Sequence, residues 1–127
     1  MSSSRQIELK SSSDLERMRR AGRLAGQVLD AVGRAVAPGV TTKELDRLAE
    51  QFIRDAGGIP TFLGYRGYTA SICASINEEV VHGIPHPKRV LREGDIVGID
   101  VGATLEGFVG DTAATFPVGR ISEEAAA

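Results

Sequence analysis

The stretch that most limits how this 127-residue chain can fold is residues 94–116, GDIVGIDVGATLEGFVGDTAATF. Two apolar runs, each interrupted by one aspartate, flank a Glu106-Gly107 pair of turn type. Side chains alternate faces along a strand. Val97, Ile99 and Val101 therefore share one face of the first strand, and Ile96, Gly98, Asp100 and Gly102 share the other. In the second strand Val109, Asp111, Ala113 and Thr115 share a face. A two-residue loop at Glu106-Gly107 sets Gly102 opposite Asp111 and makes Asp100 its diagonal neighbour on the same face, within side-chain reach. Ionised carboxylates inside apolar strands are costly unless something cationic meets them. Gly98, Gly102 and Gly110 are expected to leave room beside the pair for a close approach to the backbone.

The pair has three readings on spacing alone. Two aspartates can hold divalent metals that activate a water. Asp111-Thr112-Ala113 is similar to the Asp-Thr-Gly motif of retroviral-type aspartic proteases, homodimers in which each chain supplies one member of a proton-sharing dyad. Finally, both carboxylates could belong to a solvated surface hairpin. The dyad gives Asp100 no role and meets alanine where its motif has glycine.

The rest of the chain supplies a scaffold. With 42% hydrophobic and 25% charged residues it reads as one soluble globular domain. The net charge of -2 gives no electrostatic reason to expect nucleic acid or an anionic membrane as partner. No apolar run suits a membrane span or signal peptide, and the lone Cys73 permits no internal disulfide, so the default location is cytoplasmic. Residues 1–12 read as a polar tail or edge strand. A helix is expected from Ser13, capped with Glu16, with an apolar face of Leu15, Met18, Ala21, Ala25, Val28, Leu29, Val32 and Val36. Its other face carries Arg17, Arg20, Arg23 and Arg34, for which solvation is a simpler reading than anion binding. A second helix is expected from Thr41, capped with Glu44 and closed by Gly57-Gly58, with Leu45, Leu48, Ala49, Phe52 and Ile53 as its stripe. Residues 61–68, TFLGYRGY, have the glycine and aromatic content of a pocket loop. Residues 71–76 read as a strand, and 77–87 as a loop with Val80-Val81 buried in it. Residues 122–127 read as the first turn of a helix capped by Ser122. Two helices on an antiparallel sheet containing the 95–116 hairpin make an α/β protein of the α+β type.

His82 acquires meaning from its neighbours. NEEVVHGIP, then the hairpin with its Ile-Asp-Val and Gly-Asp-Thr, resembles the type I methionine aminopeptidases in order and spacing, over about residues 5–121. The starts of both helices, DLERMR with Ala21-Gly22 and TTKELD, resemble them too. The resemblance implies the N-terminal half of a pita-bread fold, with residues 13–121 forming half of the catalytic domain. It implies that Asp100 binds one metal and Asp111 bridges two, the pair being Co, Mn, Fe or Zn. His82 would contact the substrate at the scissile peptide, and Tyr65, Tyr68 and Cys73 would line the pocket for a methionine side chain. The implied reaction removes the initiator methionine from nascent polypeptides, with association with the ribosome as a further expectation.

The family's remaining ligands, one histidine and two glutamates, follow beyond the last residue here, and His86, Glu78, Glu79 and Glu106 match none of them. The resemblance thus implies a truncated form that binds metal weakly, is inactive or nearly so alone, and self-associates through an exposed half-sheet. A non-catalytic binding protein of the same fold is the alternative, and the aspartic-type homodimer a remoter one. The related Xaa-Pro aminopeptidases fit less well, because HGIP with a short N-terminal region favours the methionine enzymes.

Overall fold

The computed structural model describes residues 11–77 and 83–119. Helix α1 (Ser12–Ala35) and helix α2 (Thr42–Asp55) precede a sheet of four strands: β1 (Ile59–Pro60), β2 (Ile72–Ile76), β3 (Ile96–Leu105) and β4 (Phe108–Pro117). A single 3-10 turn (Tyr65–Gly67) lies between β1 and β2. All pairings are antiparallel, and β3 is the shared partner. Among the described residues no helix is long and apolar enough to cross a membrane.

The α1 cap differs from the expected one. Ser11, not Ser13, is the N-cap, and its hydroxyl accepts the Asp14 N–H at 3.1 Å. Three consecutive serines offer interchangeable hydroxyls. Capping at Ser11 places Asp14 in the first turn, where a carboxylate suits the helix dipole and reaches Arg17 at 2.9 Å. The apolar face also begins later than its periodicity suggests. Leu15 and Met18 are 44% and 39% exposed, and burial starts at Ala21. Arg17 and Arg20 meet Glu106 at the hairpin tip, so the first turns of α1 run past the end of the sheet. At α2 the expected capping box of Thr41 and Glu44 is present in both directions. Gly57 ends α2 at φ +86°, with its N–H donating to Arg54 and that of Gly58 to Ile53, the paired bonds of a Schellman motif.

The helices cover one face of the sheet. Val97, Ile99, Val101 and Ala103 of β3 pack with Ile72, Ala74 and Ile76 of β2 against Leu24, Val28, Val32, Leu45 and Ile53. Such side chains contribute about 1.5–3 kcal/mol each on full burial. The opposite face is left to Cys73, Ser75, Gly98, Asp100, Asp111, Ala113 and Thr115. Gly110, on the helix side, is where β4 crosses α1: a Cβ there would overlap the Ala21 carbonyl and lie 2.6 Å from the Gly22 nitrogen. The Ala21-Gly22 pair and Gly110 therefore form one close crossing of helix and strand. Residues 1–10 and 120–127, and with them the expected edge strand and C-terminal helical turn, lie outside the described residues.

Replacing Gly110 by alanine forces α1 away from β4 and should cost about 1–3 kcal/mol. The measurement is the urea midpoint, and an unchanged midpoint would show that α1 and β4 do not cross this closely.

Candidate functional site

Glu106 and Gly107 both have positive φ, 52° and 85°, the two-residue hairpin geometry that matches strand twist. The resulting register pairs Gly102 with Asp111 and Asp100 with Ala113, as the alternation requires. Asp100 and Asp111 line one hollow of about 400 Å³ with Phe62, Val101, Thr112 and Ala113. Asp100 is half-buried and Asp111 exposed. Among the described residues no basic side chain forms an ion pair with either.

The three glycines do not all do what was expected of them. Only Gly98 leaves open space, its nearest potential neighbour being the Ser75 carbonyl at 3.9 Å. The space over Gly102 is filled by Phe62, whose ring would lie 2.9 Å from a Cβ there. Gly110 is on the helix side and serves the crossing described above.

A second hollow, of about 640 Å³, adjoins the first through Asp100 and Phe62. Phe62, Tyr65, Tyr68, Thr69, Cys73 and Ile84 supply most of its wall. It exists because the sheet edge is interrupted. Pro60 pairs with Ala103, the Thr61 N–H donates to Gly102, and Ile72 pairs with Val101. The residues between Thr61 and Ile72 leave that edge and return to it one register step later, folding over the bare face as they go. Phe62 and Tyr68 meet edge to face, centroids 6.4 Å apart and planes at 89°. The Tyr68 hydroxyl donates to the Ile72 carbonyl at 2.8 Å and lies 3.3 Å from Cys73 Sγ. Burial, that contact with Cys73 and nearby carboxylates push the Tyr68 phenol well above its ordinary range. Burial also raises the Cys73 thiol, which on β2 is the direct cross-strand partner of Asp100 on β3; the Tyr68 hydrogen bond partly offsets this. Both groups are thus kept neutral, as an apolar pocket requires.

The structure therefore brings together Asp100, Asp111, Tyr65, Tyr68 and Cys73. His82, with Glu78, Glu79 and Val80-Val81, lies outside the described residues. Glu106 is engaged with Arg20 at 2.7 Å and Arg17 at 3.5 Å, and His86 Nδ1 accepts the Lys88 N–H at 3.0 Å. Arg17 and Arg20 are thereby a hairpin brace rather than a free anion-binding stripe. Sequence reasoning did not single out Phe62 or Ile84 within their loops. It also missed Asp46, whose carboxylate accepts the Ser71 and Ile72 N–H groups at 2.6 and 3.1 Å.

The donor chemistry fits part of a cation site. Two carboxylates offer hard oxygens to one hollow, as divalent ions prefer. Among the described residues no group of three His, Cys, Asp or Glu side chains converges to complete it.

Comparison with known proteins decides the family. The model of metallopeptidase family M24 matches residues 16–127. The chain belongs to this family. It is 56% identical over 120 residues to a methionine aminopeptidase of Clostridium acetobutylicum, covering 94% of this chain and 48% of that protein. It is 50% identical over 118 residues to methionine aminopeptidase 1 of Bacillus subtilis, covering 93% and 47%. The crystal structure of methionine aminopeptidase from Rickettsia prowazekii superposes with a TM-score of 0.86 at 43% identity, covering 92% of this chain and 47% of that one. The M24 chain thus spans about half the length of the curated relatives it matches. Its two helices on an antiparallel sheet are the α+β half of the pita-bread fold expected from the sequence.

One clasp ties the end of β2 to the start of β3. Asn77, at φ 55°, donates through Nδ2 to Asp95 at 3.1 Å and accepts the Ile96 N–H at 2.8 Å. The Asn77 hydrogen bond and then the Arg92 N–H hold the Asp95 carboxyl below its ordinary range. A lowered folded-state value stabilises above the unfolded value of about 3.9 and is lost as pH falls through the folded one. Asn77→Ala should therefore lower the melting temperature most near pH 7, with the gap to wild type narrowing as pH falls below the ordinary carboxylate value of about 3.9 to the part owed to the Ile96 N–H bond. Thermal melts across that range check it; a constant gap would remove Asp95 from the account.

Proposed function

We propose that this chain serves the metal-dependent removal of N-terminal methionine from nascent polypeptides, acting in the cytoplasm. The observation that carries the reading is the continuity of two hollows through Asp100, one presenting paired carboxylates and the other apolar. Hydrolysis at a chain terminus needs both: polar groups at the peptide and a shaped receptor for the side chain before it. The activity named for the M24 relatives supports the same choice.

Asp100 and Asp111 would hold divalent cations, Co, Mn, Fe or Zn, as part of a larger ligand set. When bound, such ions polarise a carbonyl and lower the pKa of water. The remaining work falls to the chain. Phe62, Tyr68, Cys73 and Ile84 would receive an unbranched thioether, which suits contact with ring edges and sulfur. Tyr68 directs its proton to the Ile72 carbonyl, so the pocket meets the ligand with ring surface rather than an unspent donor. Tyr65, at the rim, would close over the bound side chain, and His82 would donate to the substrate at the scissile peptide. The bare sheet face, with Val109 56% exposed, would support self-association. Acting on nascent chains would also bring the protein beside the ribosome.

Equilibrium dialysis against Mn(II) or Co(II) tests the carboxylates. Asp100→Asn and Asp111→Asn should each weaken binding at least about tenfold, since each removes one of few charged ligands. Release of methionine from Met-Ala-Ser should be slow, and a chelator should abolish it. Metal binding that ignores both substitutions, or cleavage that survives chelation, would sink the proposal. The second of these outcomes is the one an aspartic dyad predicts.

A further inference from the structure

The wall of the apolar hollow is held by a residue that does not line it. Asp46 belongs to α2, is 2% exposed, and stands among Leu45, Ala49 and Ile53, which face the core. A buried carboxylate in such company is a poor choice for stability unless its hydrogen bonds are satisfied. Asp46 Oδ1 accepts the Ser71 N–H at 2.6 Å and the Ile72 N–H at 3.1 Å, and Oδ2 lies 3.4 Å from Lys43 Nζ. These two amides mark where the excursion over the bare face ends and β2 begins. The next links lead to the pocket: the Ile72 carbonyl accepts the Tyr68 hydroxyl, and that hydroxyl lies against Cys73 Sγ. A chain of hydrogen bonds therefore runs from α2 through the backbone at 71–72 to two side chains of the wall. An apolar residue at 46 would fill the core equally well but would leave two buried N–H groups bare and Ile72 free to shift.

We infer that Asp46 is the positioning residue of the apolar pocket, fixing where Tyr68 and Cys73 stand and hence which side chain the pocket admits. It touches no ligand. The selectivity part of this inference rests on the proposed reading of the hollow as the receptor for a thioether side chain; the positional part does not.

Cys73 is the chain's single cysteine, so its modification reports on the wall without ambiguity. The rate of its reaction with methyl methanethiosulfonate, followed by mass spectrometry, would be measured with and without L-methioninol in the presence of Mn(II). Asp46→Asn keeps the size of the side chain and removes the charge. It should raise the Cys73 rate at least about tenfold and reduce methioninol protection to a similar degree, at the energy of a weakened charged hydrogen bond. Val28→Ala, a core substitution on α1 away from this relay, serves as the control for general destabilisation and should move neither quantity more than about twofold at matched loss of melting temperature. Asp46→Glu displaces the acceptor by one methylene and should give a smaller rise; it reads the same relay if the asparagine variant fails to fold. A Cys73 rate in the Asp46 variants no higher than in Val28→Ala overturns the inference. Absence of methioninol protection in the wild type would instead overturn the reading of the pocket, with the Asp46 rates still deciding the positional role.

Discussion

A one-residue slip of β4 against β3 would carry Asp111 to the helix side of the sheet and bring Gly110 and Thr112 to the open side. The observed register prevents this from both directions. Gly110 is the residue that lets β4 cross the backbone of α1, and no side chain fits in its place. Asp111 gains solvent on the other face, where an unpaired carboxylate costs least. The tip of the hairpin enforces the same alignment. Glu106 occupies the left-handed region, which costs a non-glycine residue about 1–2 kcal/mol. Its carboxylate meets Arg20 and Arg17 of α1, so the strained residue also docks the turn.

From that register follows a sheet with unlike faces. One is buried under two helices, and its valines, isoleucines and alanines pack into the core. The other carries Cys73, Asp100 and Asp111. The flank of β3 opposite β4 is used twice, first by β1 and then by β2, with an excursion between them. The excursion brings Phe62 over Gly102 and Tyr68 against Cys73, so the pocket wall and the sheet floor derive from one interruption in strand pairing. Asp100 stands at the boundary of the polar and apolar hollows.

Much of this was legible from local pattern. Alternation with a two-residue Glu-Gly loop predicted the pairing of Gly102 with Asp111, because the side-chain period of a strand is two whatever surrounds it. The Thr41 and Glu44 box and the Gly57-Gly58 stop were equally local. Local pattern misled where several residues were equivalent or where an element outran its support. Three serines could cap α1, and the one chosen also sets the ion pair of Asp14 with Arg17. Leu15 and Met18 keep the helical period but extend beyond the sheet that would bury them.

The sequence by itself determined the unlike faces of the hairpin, the caps of α2, the turn and the convergence of Asp100 with Asp111, because each rests on residues within one strand pair or one helical turn. Tertiary structure alone decided that Gly102 is covered by Phe62, that Gly110 is a crossing point, and that Asp46 reaches Ser71 and Ile72 across 25 and 26 residues of chain. Contacts at that separation leave no periodic trace. They depend on how α1 and α2 pack on the sheet and on where the edge of β3 is left open, and only the folded chain brings those surfaces together.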